Sequence, residues 1–172
     1  MIFERILKAL FIRRIRYLLI GGAAVNFHGF SRATGDLDIM LSFGKTNVVK
    51  FVQMAKSLGF LPRVPVAMEG LADARERKSW IRKKGMKVFS IFDPKTPEDH
   101  IDIMVEDYLD FEEAYRRRKV MKIKGMDVSV ASIPDIVRLK KIAGRERDLI
   151  DIGALNQIKK MIHAEKTKKK RP

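Results

Sequence analysis

The sequence predicts an α/β (α+β) fold, a small mixed β-sheet flanked by helices with a helical pair at the C-terminus. Residues 17–20 form a continuous apolar run, which is typical of a strand buried on both faces. Residues 36–41 and 100–105 alternate polar with aliphatic side chains, as strands with one buried face do. Apolar residues recur at helical spacing before and after these strands, which indicates helices packed on the sheet.

The other elements are predicted in chain order from periodicity and from cap and turn residues. Helices are expected at residues 2–13, 46–58, 69–84, 111–118, 132–143 and 146–163. The apolar face of the last of these is expected to consist of Leu149, Ile152, Leu155, Ile158 and Ile162. Thr46 is expected to cap the helix at 46–58, and Ser132 with Asp135 to begin the helix at 132–143. Residues 93–97 are expected to form a loop. Further strands are expected at residues 60–66, placed at a sheet edge by two prolines, and at 86–92, 120–123 and 128–131.

Composition limits the classes of protein that fit. A chain of 172 residues with 46% hydrophobic and 33% charged residues fits one globular domain. We divide it into an α/β core at 1–131, a helical pair at 132–165 and a basic tail at 166–172. The absence of cysteine excludes disulfides and thiolate zinc sites and is compatible with a cytoplasmic location. No apolar run is long enough to span a membrane, and no secretory signal is expected.

The net charge of +15 favours anionic partners such as nucleotides and nucleic acid. Residues 69–84 concentrate basic side chains around Trp80. A solvated helix anchored in the core by Trp80 is the simpler interpretation, and a basic surface near a substrate is the alternative. The basic tail at 166–172 fits a solvated terminus better than a nucleic-acid-binding arm.

Two adjacent glycines follow the first strand and precede a short helix expected at residues 23–28. Gly21 and Gly22 lack a Cβ, so the backbone can turn sharply there and approach a ligand closely. Backbone N–H groups at the start of a helix form a natural phosphate site. The pattern therefore predicts phosphate binding at these glycines, with an ordinary strand-to-helix turn as the alternative.

Alternating acids mark two of the predicted strands. Asp36 and Asp38 lie on one strand face, about 6.6 Å apart. Carboxylates this close are costly unless a cation neutralises them, and hard oxygen ligands favour Mg²⁺ or Mn²⁺. Asp102 repeats the alternation in the strand at 100–105, and a solvent-facing strand residue is the alternative interpretation.

These residues carry a resemblance to a known superfamily. Ile20-Gly21-Gly22, then thirteen residues, then Asp36-Leu37-Asp38-Ile39 resembles the signature of the DNA polymerase beta-like nucleotidyltransferases. The string from Gly21 to Gly29, with Arg32-Ala33-Thr34 after it, is similar to the small bacterial branch of minimal nucleotidyltransferases and abortive-infection type toxins. Near the C-terminus, Leu139-Lys140, Gly144-Arg145, Asp148 and Asp151 are similar to the same branch, with Arg147 where lysine is usual.

The resemblance implies a metal-dependent nucleotidyltransferase, which joins a nucleoside monophosphate from an NTP to an acceptor hydroxyl and releases pyrophosphate. Asp36, Asp38 and Asp102 would be the catalytic residues and would hold two Mg²⁺ or Mn²⁺ ions. The nucleotide and its phosphates would contact Gly21, Gly22, Arg32, Thr34 and Lys140. Lys140 is interpreted as a helix-surface lysine that holds phosphate by its charge.

Several roles stay open at this point. Arg32 could pair with phosphate or orient an aspartate, and His28 is more often structural than catalytic. Asp148 and Asp151 fit a structural brace with Arg145 better than a substrate contact. The acceptor could be tRNA or another RNA, a protein or a small molecule. The rival functions are a toxin–antitoxin-type binding module, against which three aligned carboxylates argue, and a basic nucleic-acid-binding protein with little or no turnover, which strong RNA binding unaffected by metal or NTP would favour.

Overall fold

The structure is a computed structural model that describes residues 3–168, except for the side chains of residues 97–99, 166 and 168. The α-helices are α1 Glu4–Ile12, α2 Gly21–Phe27, α3 Lys45–Ser57, α4 Ala74–Lys84, α5 Phe111–Arg116, α6 Ile133–Ala143 and α7 Glu146–Lys168. A 3₁₀ helix, Met68–Ala72, precedes α4. The strands are β1 Tyr17–Leu19, β2 Asp36–Leu41, β3 Leu61–Pro62, β4 Val88–Asp93, β5 Thr96–Met104, β6 Lys119–Ile123 and β7 Met126–Val130.

All seven strands form one mixed sheet in the order β3-β4-β5-β2-β1-β7-β6. Strands β2 and β5 are parallel neighbours at the centre, and β1 pairs with β7 in parallel. The pairs β1–β2, β3–β4, β4–β5 and β6–β7 are antiparallel. The predicted mixed sheet flanked by helices is therefore confirmed, and β3 takes the predicted edge position.

One face of the central strands forms the core. Leu37, Ile39, Ile101 and Ile103 are fully buried and belong to one apolar cluster with residues of α1 and α3. Because successive strand side chains point to opposite faces, this burial turns the intervening polar residues of β2 and β5 to the other face. The predicted alternation thus fixes which face carries the acids.

Several element boundaries differ from those predicted. Helix α3 begins after Gly44 without a side-chain cap, so the prediction that Thr46 caps it is wrong. Residues 69–84 divide at Asp73, whose carboxylate accepts a hydrogen bond from the Arg75 N–H and caps α4. Strand β5 begins at Thr96, so the predicted loop at 93–97 is a tight hairpin turn. Ser132 caps α6 as predicted.

The C-terminal helix is longer than predicted and presents a different face. Helix α7 continues to Lys168, past the expected end at residue 163, and residues 169–172 of the basic tail lie outside the described chain. Leu149, expected on its apolar face, is 70% exposed, whereas Asp148 and Asp151 are buried. The division at residues 131 and 165 stays a prediction. Among residues 3–168, no helix combines the length and apolar character needed to cross a membrane.

Candidate active site

The register between β2 and β5 brings the three predicted acids together. Asp36 lies opposite His100, and Asp38 lies opposite Asp102, in the parallel pairing of these strands. Ser90 of β4 lies opposite Asp102 and donates a hydrogen bond of 2.6 Å from its Oγ to Asp102 Oδ1. A polar patch therefore extends across three neighbouring strands, on the face of the sheet away from the core.

His100 belongs to this patch and was not among the predicted site residues. Its Nε2 lies 2.9 Å from Asp36 Oδ1. Asp36, His100 and Asp102 each offer a ligand atom, and these atoms lie within 4.8 Å of one another, as metal ligands do. The alternation His100-Ile101-Asp102 repeats Asp36-Leu37-Asp38 and could have identified His100, but only once the two strands were known to be aligned.

Asp38 shows that this patch is electrostatically crowded. The pKa of Asp38 is raised to about 6, first by burial of the carboxylate and then by the charges of Asp102 and Asp36. A hydrogen bond from the Gly22 backbone N–H and the charge of Arg145 oppose the shift without cancelling it. The protein therefore leaves a negative charge here that a bound cation can balance.

The two glycines pack directly against these side chains. Gly21 has a φ of +63°, and a Cβ on it would lie 1.9 Å from Asp38 Oδ2. A Cβ on Gly22 would lie 2.7 Å from Thr34 Oγ1 and 2.8 Å from Arg32 Nη2. Both glycines form the first turn of α2 rather than a linker before it. The absence of side chains is thus required by the close approach of Asp38, Thr34 and Arg32.

Arg32 is held by two elements. Asn26 of α2 accepts a hydrogen bond of 3.0 Å from the Arg32 N–H and donates one of 2.9 Å to the Arg32 carbonyl. The Arg32 guanidinium pairs with Asp151 of α7 at 2.7 Å. Arg32 therefore orients an aspartate, but this aspartate is Asp151 of α7 and not one of the acids of β2.

A buried ion-pair network joins α6 to α7 beside the acids. Lys140 is 4% exposed, and its Nζ lies 3.0 Å from Asp148 Oδ1 and 2.5 Å from Asp151 Oδ2. Arg145 pairs with Asp148 at 2.9 Å, as the predicted brace requires. Burial alone would raise the pKa of Asp148, but hydrogen bonds from Arg145 and Lys140 hold it below its ordinary value.

This network corrects the interpretation of Lys140 as a helix-surface lysine. Its ammonium is enclosed by two carboxylates and packs between helices. Lys140 still borders the cavities beside the acids, so its contact with a triphosphate stays a prediction. His28 is buried, its Nε2 lies 2.8 Å from the Ala131 carbonyl oxygen, and burial lowers its pKa, which favours the structural interpretation.

Two cavities flank the acids and share Asp38, Asp102, Lys140 and Arg145. The cation-lined cavity, of about 540 Å³, is bordered by Arg32, Thr34 and Arg147 as well. The apolar-lined cavity, of about 340 Å³, is bordered by Ile20, Val88, Met104, Tyr108 and Leu139, with Lys87 at its edge. One side of the acid cluster therefore suits phosphate groups, and the other suits a ring or a similarly apolar group.

A mixed sheet with adjacent acids on two central parallel strands, beside a Gly-Gly helix start, is a nucleotidyltransferase-like fold, and solved nucleotidyltransferases share it. LnuA, a lincosamide antibiotic adenylyltransferase solved with lincomycin bound, matches with a TM-score of 0.59 and 18% identity, over 91% of this chain and 96% of LnuA. The antibiotic-resistance factor ANT(2'')-Ia matches in solution with a TM-score of 0.57 and 12% identity, over 97% of this chain and 90% of that one.

A crystal structure of ANT(2'')-Ia in complex with adenylyl-2''-tobramycin matches with a TM-score of 0.56 and 13% identity, over 96% of this chain and 95% of that one. At these identities the similarity is one of fold. No protein-family model matches the chain, and no curated protein sequence matches it significantly.

Proposed function

We propose that the chain is a metal-dependent nucleotidyltransferase, which transfers a nucleoside monophosphate from an NTP to an acceptor hydroxyl and releases pyrophosphate. The observation that carries the proposal is the group of Asp36, Asp38 and Asp102 on neighbouring strands, directly beside a cation-lined cavity. The shared fold supports it, because the structures that it resembles are nucleotidyltransferases.

The residues present fit divalent cations. Asp36, Asp38 and Asp102 supply hard carboxylate oxygens. Burial and then the charges of Asp102 and Asp36 raise the pKa of Asp38, and a bound cation would offset this cost of ionising it. His100 adds an imidazole nitrogen, which suits Mn²⁺ better than Mg²⁺. Two ions in these positions would balance charge on the reacting phosphate and lower the pKa of the acceptor hydroxyl.

The residues around the acids would bind the substrate phosphates and orient Asp102. Arg32 and Arg145, each fixed by a buried aspartate, border the cavity that suits the triphosphate. Gly21 and Gly22 let the substrate phosphates approach the start of α2. Ser90 fixes one oxygen of Asp102, which leaves the other oxygen of this carboxylate for a cation or the acceptor hydroxyl.

We also propose that the chain belongs to the small bacterial branch of nucleotidyltransferases and that it is located in the cytoplasm. A toxin–antitoxin-type or nucleic-acid-binding module without turnover would not need the crowding of acids seen at Asp38. Incubation with each labelled NTP, Mg²⁺ and cell extract would show which molecule takes up the label.

Calorimetry tests the metal mechanism directly. A non-hydrolysable NTP should bind at least about tenfold more tightly with Mn²⁺ than without it, because the two added divalent ions face the phosphates. Asp102→Asn should remove most of this gain, since the asparagine Oδ1 can still accept the Ser90 hydrogen bond but the charge is lost. Asp127→Asn, at an exposed position of β7, is the matched control and should behave as wild type. Equal affinity with and without Mn²⁺ would contradict the proposal.

A further inference from the structure

Four basic residues border the cation-lined cavity: Arg32, Lys140, Arg145 and Arg147. The first three form ion pairs with the two buried aspartates of α7. Arg147 is exposed and forms no ion pair or side-chain hydrogen bond with any residue that the structure describes. Among the four, its positive charge is therefore the one that remains available to a ligand.

The start of α7 holds the backbone of Arg147 in place. Its neighbour Asp148 is buried and is bound by Lys140 and Arg145. The Asp148 N–H donates a hydrogen bond of 2.9 Å to the Arg145 carbonyl oxygen, and the Arg145 N–H donates one of 3.3 Å to Asp148 Oδ2. Arg147 lies between these two residues, so its side chain leaves the helix at a defined point beside the cavity.

Arg147 lies away from the point where the two cavities meet. Asp38, Asp102, Lys140 and Arg145 border both cavities, and the reacting α-phosphate belongs beside them because the proposed metal ligands lie there. Of the two cavities, Arg147 borders only the cation-lined one. Along a bound triphosphate it therefore faces the part that is furthest from the reacting phosphorus.

A terminal phosphate is the best partner for the guanidinium of Arg147. It carries a charge of about −1.5 to −2 near neutral pH, as a phosphoester does, and this exceeds the single charge of an internal phosphate. Arginine offers two parallel N–H donors to phosphate oxygens. The charges of Arg32, Lys140 and Arg145 are partly balanced by their aspartates, so Arg147 can attract a terminal phosphate more strongly than they can.

We propose that Arg147 binds the terminal phosphate of the NTP and thereby makes the enzyme select a nucleoside triphosphate over a diphosphate. This inference rests on the proposed nucleotidyl transfer. The three paired cations border the inner phosphates, whereas Arg147 provides a contact that only the third phosphate reaches. In a nucleoside diphosphate the chain ends one phosphate closer to the acids, so this contact is not made.

Calorimetry with Mn²⁺ tests the contact, using nucleotide analogues that carry a methylene group in place of the α–β bridging oxygen. All four bases are measured, and the base that wild type binds most tightly is used for the variants. Arg147→Gln should weaken binding of the triphosphate analogue about tenfold, the size of one hydrogen bond to a charged group. It should change the affinity for the diphosphate analogue by less than about twofold, because salt screens a charge that makes no contact.

Arg138→Gln is the matched control, because Arg138 is exposed on α6 and borders neither cavity. The same loss of charge there should leave the affinities for both analogues within about twofold of wild type. Phosphorus NMR with diamagnetic Mg²⁺ identifies the phosphate that Arg147 contacts. At saturation, the γ-phosphorus resonance of the triphosphate analogue should shift less with Arg147→Gln than with wild type, whereas the α and β resonances should shift equally with both proteins.

The two proposals fail in different ways. Equal losses for both analogues in Arg147→Gln, an unchanged affinity for the triphosphate analogue, or an equal loss in Arg138→Gln would overturn the role of Arg147 and leave nucleotidyl transfer standing. If wild type binds no triphosphate analogue of any base in the presence of Mn²⁺, the proposed function itself is wrong. Both arginines are exposed, so both variants should melt at the temperature of wild type, and a loss of binding then reflects a lost contact.

Discussion

Asp38→Asn in the metal-free protein is expected to stabilise the fold while it abolishes activity. Asparagine keeps the size of the side chain and can still accept the hydrogen bond from the Gly22 N–H. The pKa of Asp38 is raised from 3.8 to about 6, first by burial and then by the charges of Asp102 and Asp36. This rise in pKa corresponds to about 3 kcal/mol for the cost of ionising this carboxyl in the folded state.

The pH dependence follows from the direction of the shift. A folded-state pKa above the unfolded value means that protonated Asp38 favours folding below about pH 4 and that this contribution is lost as the pH rises through about 6. The variant and wild type should therefore have similar unfolding free energies near pH 4. Above pH 6 the variant should be more stable, by up to about 3 kcal/mol.

Urea unfolding in the presence of a chelator, across this pH range, measures the difference. Asp127→Asn, an exposed acid of β7, is the control and should show no pH-dependent gain. Mn²⁺ should then stabilise wild type more than Asp38→Asn, because the variant has lost a ligand charge. A variant that is less stable than wild type at pH 8 would make Asp38 a structural hydrogen-bonding residue. A folded variant that still transfers nucleotide would contradict the metal mechanism.

Two further substitutions test the glycine contact and the buried lysine. Gly21→Ala should abolish metal-dependent NTP binding in calorimetry, because its Cβ would lie 1.9 Å from Asp38 Oδ2. Gly85→Ala introduces similar strain, at a φ of +60°, with nothing within 4 Å, so equal binding losses in both variants would contradict the contact argument. Lys140→Ala should lower the unfolding free energy by about 3 kcal/mol, because Asp148 and Asp151 lose a buried cation. Exposed Lys141→Ala is its control, and an unchanged urea midpoint for Lys140→Ala would show that the network contributes no stability.

The sequence alone was sufficient to predict the two strands that carry the acids. Their alternation has a period of two, and the buried aliphatics between the acids allow only one orientation for each strand. The sequence was not sufficient to predict the cluster of Asp36, His100 and Asp102. His100 lies next to Asp36 because β2 and β5 pair in parallel, and the order of elements along the chain does not reveal this pairing. The face that each acid occupies on its own strand was therefore predictable, whereas the residues that lie beside it on the neighbouring strand were not.

Lys140 was misinterpreted although its spacing carried a signal. Ile133 and Ile136 are buried on α6, and Lys140 follows them at seven and four residues, on the same helical face. On α7, Asp148 and Asp151 share a buried face with Leu155 by the same spacing. Helical periodicity of the apolar residues alone does not reveal charged side chains on these buried faces. A charged side chain is buried only when an oppositely charged partner lies next to it, and the sequence does not show that partner.

The position of this network explains how the candidate site remains charged. Arg145 is paired with Asp148, so it can attract Asp38 but is not free to neutralise it, and the pKa of Asp38 stays raised. Arg32, Lys140 and Arg145 form ion pairs with the buried aspartates of α7. They thus lie beside the acids of β2 and β5 without forming ion pairs with them. If Arg145 bound Asp38 directly, the site would gain stability and lose its affinity for a metal ion. The fold therefore places the ion pairs in the α6–α7 network and keeps uncompensated negative charge on the sheet, where a bound cation can balance it.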